Sequence, residues 1–317
     1  MNEHTMAVAG IDTGKHQLDI ALHGRKACLQ VGNDTTGHEQ LSCWLRRHGV
    51  ERVGIEASGG YERDVVARLR NDGLAVIRFQ PRQVRAYAEY RLQRAKNDKI
   101  DAALIAACAA DAPMVRPAPD PRLEPLAEHL TLIEQIEEDI VRFKTRLEAV
   151  RQAQRKRRLE REIVHLKAWR ALELKRLAEA LRRHPDLARR LALAASVEGA
   201  GERTAIACIV RMPELGHISR EEAAALAGLA PYDDDSAGRH GVRHIAGGRS
   251  RLRKSLYAAA LPAAFRWNPQ LIALYKSLIA AGKPHKVALI ACARKLLIFI
   301  NTVLARGTEW QPKPARS

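Results

Sequence analysis

Four prolines fall within eleven residues, in the run APMVRPAPDPR at 112–122. Proline fixes φ and lacks a backbone N–H, so neither a helix nor a central strand continues through such a run. It reads as a domain boundary or stiff linker. The patterning differs on its two sides: short strand-like runs alternate with helical ones before it, and long helical stretches follow it. A length of 317 residues suits about two domains. Hydrophobic residues make up 46%, enough for ordinary cores, but aromatics only 4%, so Leu, Ala, Ile and Val must do the packing.

MAVAGID (6–12) is a β-rich run ending on Asp12, and QLDIALH (17–23) alternates strictly, with Leu18, Ile20 and Leu22 on one face. KACLQVGN (26–33) predicts a third strand. Residues 35–48 predict a helix with Leu41, Trp44 and Leu45 at helical spacing. RVGIEA (52–57) predicts a fourth strand ending on Glu56. YERDVVARLRNDG (61–73) reads as a helix closed by Gly73, LAVIRF (74–79) as a fifth strand, and Pro81 as a helix start. Three consecutive strands followed by β-α-β order imply a mixed sheet covered by helices. DKIDAALIAACAAD (98–111) is Ala-rich with acids in its first turn, a strong helix signal.

Asp12 and Glu56 each end a predicted strand. Neighbouring parallel strands would bring both carboxylates to one sheet edge, where α/β proteins place their chemistry. Asp98 and Asp101 share one face of a first helical turn. Four converging carboxylates repel one another, and a hard divalent cation relieves that; oxygen-only ligands suit one or two magnesium ions. Two ions about 3.5–4 Å apart can flank a phosphodiester. Each acid alone has a plainer reading, a turn residue after a strand or, for Asp98 and Asp101, helix N-cap and N3. GIDTG (10–14) also resembles the phosphate loop of actin-like ATPases and sugar kinases, but the sequence offers no second Asp-containing, Gly-rich phosphate loop.

Beyond the prolines, residues 126–183 contain neither Pro nor Gly, and Leu126, Ile133, Ile140 and Leu147 fall seven apart as in a coiled-coil seam. The register breaks at RQAQRKRRLERE (151–162), and Ile163, Leu166, Leu172, Leu177 and Leu181 resume an apolar stripe. This reads as two long helices, an antiparallel coiled-coil hairpin turning near the basic patch, with an ordinary helical bundle as the alternative. Residues 193–317 read as mostly helical, interrupted by a Gly- and Arg-rich loop at 230–250. VEGAGERTA (197–205) resembles the hairpin of helix-hairpin-helix modules, in which Gly199 and Gly201 would let backbone N–H groups approach a DNA phosphate; a plain helix–helix turn is the alternative. From Ser236 to Lys254 there are six basic residues, Arg239, Arg243, Arg249, Arg251, Arg253 and Lys254, and no acid. Such a stretch can neutralise several phosphates. By composition alone, Ser236 reads as a turn or cap residue.

The net charge of +17 points to a polyanionic partner, nucleic acid first. The five cysteines lie far apart with no CxxC or Cys/His cluster, which argues against a structural zinc and suits a reducing cytoplasm. The N-terminus lacks the order of a signal peptide. The longest apolar stretch, 287–304, carries Arg294 and Lys295 mid-run, which favours a buried helix over a membrane span.

Taken in order, GIDTGKHQLDIAL, GIEASGGYE, KNDKIDA, VEGAGERTA and GLAPYDDDSAG…GGRSRLRKSLY resemble the DEDD transposases of insertion sequences (insertion-sequence family one-hundred-ten), which include Piv-like invertases. The resemblance covers essentially the whole chain. It implies an α/β plus α architecture: a RuvC-like, ribonuclease-H-fold domain (1–113), a linker and coiled coil (114–192), and a mostly helical transposase domain (193–317). It implies that Asp12, Glu56, Asp98 and Asp101 bind magnesium and that Ser236 is the nucleophile. The family usually has Ser-Gly, whereas here Ala237 separates Ser236 from Gly238. Donor and target DNA, a structured guide RNA, and assembly as a homodimer or dimer of dimers in the bacterial cytoplasm, at the nucleoid, are implied likewise.

Overall fold

The computed structural model describes residues 6–92, 98–113, 120–232 and 244–311, with 98–100 described by backbone alone. Two compact units meet at the proline run, one ending at Pro119 and the other beginning at Asp120.

In the first unit the order is β1 (Ala7–Thr13), β2 (Gln17–Leu22), β3 (Cys28–Gly32), α1 (Thr35–Arg47), β4 (Val50–Glu56), α2 (Arg63–Asn71), β5 (Ala75–Phe79), α3 (Pro81–Tyr90) and α4 (Asp98–Asp111). The strands form one sheet, β3-β2-β1-β4-β5. β1, β2 and β3 pair antiparallel, while β4 lies parallel to β1 and to β5. This is the mixed, helix-covered α/β sheet expected from the sequence. Asp34 caps α1 by accepting from the Gly37 N–H at 2.8 Å, and Pro81 begins α3.

The two faces of the sheet carry different cores. Ala9, Ile11, Leu18, Ile20, Val53 and Ile55 pack with Leu41 and Leu45 of α1 and Val65 and Leu69 of α2. On the opposite face Val8 and Phe79 pack with Val84 of α3 and Leu104, Ile105 and Ala109 of α4. The strict alternation of β2 suggests a strand with one wet face. In the structure every residue from Leu18 to Leu22 is buried, including Asp19 at 7% exposure, because β2 is an interior strand covered by helices on both sides.

Two glycines set how closely α4 approaches. A Cβ at Gly10 would stand 2.2 Å from the Ala102 carbonyl oxygen and 2.2 Å from the Ala106 nitrogen; one at Gly54 would stand 2.7 Å from the Ala109 Cβ. The helix backbone therefore rests directly on β1 and β4. Arg52, near the start of β4, donates to the carbonyls of Ala109 and Ala112 at 3.1 and 3.2 Å, satisfying the end of α4. The Tyr87 hydroxyl donates to Asp111 at 2.5 Å and ties α3 to the same end. Burial, reinforced by that bond, pushes the Tyr87 hydroxyl up to about 12.

The second unit opens with α5 (Leu123–Ala149) and α6 (Ala153–Arg182), a two-helix hairpin turning at 150–152. Leu126, Ile133 and Ile140 of the expected seam are buried. On α6 the buried stripe runs through Ile163, Leu166, Glu173, Leu177 and Leu181. Leu172, placed on that stripe by the sequence reading, is 47% exposed: the spacing of three and four residues lands on Glu173, which accepts from His129, Trp169 and Arg176. There follow α7 (Pro185–Ser196), α8 (Glu202–Arg211), α9 (Arg220–Ala227), the short strands β6 (Pro231–Tyr232) and β7 (His244–Ile245), α10 (Ser250–Pro262), a π-helical turn (Ala263–Trp267), α11 (Pro269–Ala280) and α12 (His285–Arg306). One core joins Leu126, Leu130 and Leu177 to Ile206, Leu256 and Leu296. Among the described residues α12 alone is long and apolar enough to cross a membrane, but 61% of its apolar window is buried in this core. It is a core helix, as Arg294 and Lys295 suggested.

Candidate active site

Two of the acids predicted from the sequence, Asp12 and Glu56, are brought side by side by register. Gly10 pairs with Gly54 and Ile11 with Ile55 between the parallel strands β1 and β4, so Asp12 and Glu56 stand side by side one step further on. Neighbouring strands lie about 4.8 Å apart. Side chains alternate between faces, so Asp12 shares the face of Gly10 and Glu56 that of Gly54, the face on which α4 lies. α4 runs antiparallel to β1: its C-terminal end meets Arg52 at the start of β4, and Ala102 and Ala106 lie over Gly10. Its first turn, with Asp98 and Asp101, is therefore directed to the sheet edge that carries Asp12 and Glu56. Among the described residues no three His, Cys, Asp or Glu side chains stand close enough to hold a metal ion. The side chain of Asp98 lies outside the described residues.

A fifth carboxylate belongs to the same row. Asp19 is the cross-strand partner of Asp12, so the two share a face. It is held by Gln17 and Gln30, whose amides donate to it at 2.9 and 2.7 Å. The alternation of QLDIALH consigned Asp19 to solvent; the signal that would have found it is a Gln two residues before it on the same strand and another at its cross-strand neighbour, Gln30. Glu62 was missed as well. Only 4% exposed, it accepts from the N–H groups of Ser58 and Gly60 at 3.1 and 3.0 Å and faces Arg78 at 3.6 Å. It folds the Ala57–Tyr61 loop that follows Glu56.

Ser236, Arg239 and Arg243 lie outside the described residues. The stem that flanks them is well defined: Pro231 pairs with Ile245 and Tyr232 with His244. Gly228 and Gly248 close its base. Gly228 has φ +69° and ends α9, and a Cβ there would stand 2.3 Å from the Gly247 carbonyl oxygen. The Arg249 N–H donates to Leu226 O at 2.8 Å, and Arg253 Nη1 donates to Gly247 O at 2.6 Å. The remaining basic residues of the loop are engaged too. Arg249 makes a two-pronged bond to Glu214 at 2.6 and 2.7 Å, Arg251 donates to Glu134 at 2.7 Å, and Lys254 donates to Glu138 at 3.0 Å.

Glu134, 8% exposed, also accepts from Arg211 at 2.9 Å, and Arg203 stands 3.9 Å away. Desolvating one carboxylate among three guanidiniums is tolerable because the opposite charges remain. The cluster floors a groove of about 690 Å³ between α5, α8 and α10, whose rim includes Lys144 and Arg170. In the VEGAGERTA turn, Gly199 has φ +93° and its Cβ would meet the Ala263 Cβ at 2.4 Å, so helix packing alone demands glycine. Gly201, at the start of α8, has nothing within 4 Å.

Residues 9–153 match the family described as "Transposase" under the heading DEDD_Tnp_IS110, and residues 191–276 match "Transposase IS116/IS110/IS902 family". The chain belongs to the IS110 family of transposases. It is accordingly an enzyme of DNA cleavage and strand transfer. The "Pilin gene-inverting protein" of Moraxella bovis is 26% identical over 96% of this chain and 97% of its own length, and that of Moraxella lacunata is similar to the same extent. Two solved Thermus thermophilus RuvC structures, one in complex with a Holliday junction substrate, are each 19% identical over 32% of this chain and 92% of theirs, with TM-scores of 0.27 and 0.24. In this IS110-family chain the first match spans the acidic edge, and the second spans the VEGAGERTA turn and the β6–β7 stem.

Proposed function

We propose that this protein is the transposase, or site-specific DNA recombinase, of a mobile insertion sequence, and that it cuts and rejoins DNA through a covalent serine intermediate. The observation that carries this reading is the convergence at one sheet edge. Asp12 and Glu56 end neighbouring parallel strands, and the first turn of α4, with Asp98 and Asp101, is directed to the same edge. An all-carboxylate set has the donor chemistry of a site for one or two magnesium ions. When bound, the metal supplies neutralisation and polarisation at a phosphodiester.

The rest is work for the chain's own residues. Ser236 Oγ attacks the phosphorus; the Oγ–P bond forms, the P–O3′ bond breaks, and the departing oxygen leaves as a 3′-hydroxyl. The phosphoserine keeps the phosphodiester energy, so rejoining to a new 3′-hydroxyl reverses the step without ATP. The β6–β7 stem, closed by Gly228, Gly248 and Arg253, flanks Ser236 in sequence and supports its assignment as the reacting residue. Gly199, Gly201, Arg239, Arg243, Arg249, Arg251, Arg253 and Lys254 form the nucleic-acid-binding set, with four of the six basic residues also tied internally.

In this reading donor and target DNA are the substrates, a structured RNA guides the choice of site, and the enzyme works in the cytoplasm as a homodimer or dimer of dimers. The chain divides into a RuvC-like domain (1–113), a linker and coiled coil (114–192) and a transposase domain (193–317). The name of the Moraxella relatives, inverters of a pilin gene, supports recombination over simple hydrolysis.

The test is a covalent adduct. Purified protein with magnesium, its element's end DNA and the RNA encoded beside it should give a protein–DNA species that survives denaturing electrophoresis. Ser236→Ala should abolish it. Retention of the adduct in that variant removes the serine assignment; cut strands with no adduct in the wild type point to a plain metal-dependent nuclease.

A further inference from the structure

Aromatic residues are scarce in this chain, with four Phe and four Trp in all, yet one of each stands in solvent on a single turn. Phe265 is 50% exposed and Trp267 62% exposed. Local structure explains why they are presented rather than buried. Pro262 ends α10, and the next turn, Ala263–Trp267, widens to a π-helix. Ala263 and Ala264 face the core, while Asn268, fully buried, anchors the end of the turn. Its side chain accepts from the N–H groups of Gln270 and Leu271, both at 3.1 Å, and donates to Glu198 O at 2.9 Å. The rings therefore sit on a backbone fixed from beneath.

Two further rings extend the surface. Phe265 packs edge-on against Tyr275 at 4.9 Å between centroids, and Tyr275 meets His285 at 5.7 Å. Phe265 and His285 lie within 29° of parallel. The Tyr275 hydroxyl and His285 Nδ1 are 2.7 Å apart, which fixes both rings.

The surroundings are cationic. Arg266, Lys276, Lys283 and Lys286 are all exposed, and none forms an ion pair with the described residues. From Ser236 to Thr308 the sequence contains no Asp or Glu. Cations adjoining the exposed rings in sequence suit a phosphate backbone, and the ring faces suit its bases.

We propose that the surface formed by Phe265, Trp267, Tyr275 and His285 is a stacking platform for unpaired bases of a single-stranded nucleic acid, with the four neighbouring cations holding its phosphates. Stacking on exposed rings selects single strands, because the bases of a duplex are already stacked on one another. The inference rests on the reading of the chain as a nucleic-acid recombinase and adds a site for displaced or unpaired strand distant in sequence from the acids and from Ser236.

The experiment is fluorescence anisotropy on the full chain, with labelled oligothymidylate of about 20 nucleotides and a duplex of equal length. Phe265→Ala/Trp267→Ala should weaken oligothymidylate binding roughly 5- to 150-fold and leave duplex binding within about twofold. Trp267→Tyr, which keeps a ring face, should retain most of the affinity. Both changes are at exposed positions, and an unchanged melting curve verifies the fold. Unchanged oligothymidylate binding overturns the platform, and so does an equal loss on single strand and duplex. A fall in the protein's mass by light scattering with oligonucleotide affinity intact also overturns it, since the surface then joins two copies of the chain. The Ser236 adduct is read separately on end DNA: an adduct with unchanged oligothymidylate binding sinks the platform alone.

Discussion

Gly10→Ala is the most searching single change in the first unit, because it adds one methyl group where there is no room for it. The new Cβ would stand 2.2 Å from Ala102 O and from Ala106 N and 2.8 Å from Ala106 Cα. These are backbone atoms in the middle of α4, so no side-chain rotation relieves the overlap. Ordinary contact needs about 3.5 Å, and α4 must lift by about 1 Å. Overpacking of this kind costs about 1–3 kcal/mol, and rigid neighbours put it near the upper end, roughly 150-fold in an opening equilibrium. Hydrogen exchange on the full chain reads this directly. Amides of α4 and β1 should exchange on the order of 100-fold faster, while those of α12, in the other unit, keep their protection. Strand cleavage should fall by about as much, since a 1 Å misplacement at a reacting centre costs about 10²-fold. Gly54→Ala should be milder, because it meets the Ala109 Cβ at 2.7 Å, and Ala109→Gly should relieve part of its cost. Wild-type protection of α4 in Gly10→Ala would refute the claim that this contact sets the helix over the acids.

Two further outcomes follow from the second unit. Gly199→Ala should lower the melting temperature by several degrees, since it pairs a φ of +93° with a 2.4 Å overlap on Ala263, whereas Gly201→Ala, with open space around it, should leave melting nearly unchanged; equal effects in a thermal scan would remove the packing explanation. Hydrogen bonds from Arg122 hold Asp120 and Asp186 below their ordinary value of 3.8. A lowered folded value means that the stabilisation is complete above about pH 4 and is lost as pH falls through the lowered values, so urea midpoints of Arg122→Ala and wild type should differ at about pH 6 and draw together as pH falls below the ordinary value.

The five strands and the helices of the first unit were legible because each carries a local signal: β-rich runs, apolar spacing such as Leu41, Trp44 and Leu45, a Pro start at Pro81. The convergence of Asp12 and Glu56 was legible because equal placement at two strand ends needs only a parallel pairing. What stayed hidden depends on partners distant in sequence. Asp19 looked solvent-facing because alternation reports one buried face, and only helices on both sides of the sheet bury the other. Leu172 and Glu173 exchanged places because an ion network with His129 and Arg176 made the acid the better occupant of a buried position. The glycines at 10 and 54 open the GIDTG and GIEASGGYE motifs, yet nothing in those motifs shows that they set the height of α4.

The charge argument changes most when partners are counted. A net charge of +17 and a basic loop at 239–254 suggested that this loop is the phosphate-binding surface. Yet Arg249, Arg251 and Lys254 are paired with Glu214, Glu134 and Glu138, and Arg253 is tied to backbone carbonyls. A cation already bonded to a carboxylate must surrender that bond to take a phosphate, so its contribution to binding is the difference of two interactions rather than a whole one. Exposed cations without ion pairs to the described residues lie elsewhere. They include Arg155, Lys156, Arg157, Arg158 and Arg161 in the first turns of α6, and Arg266, Lys276, Lys283 and Lys286 around the aromatic surface. These release counterions at full value on binding, so the salt dependence of nucleic-acid affinity should track them more closely than the loop whose sequence first suggested it.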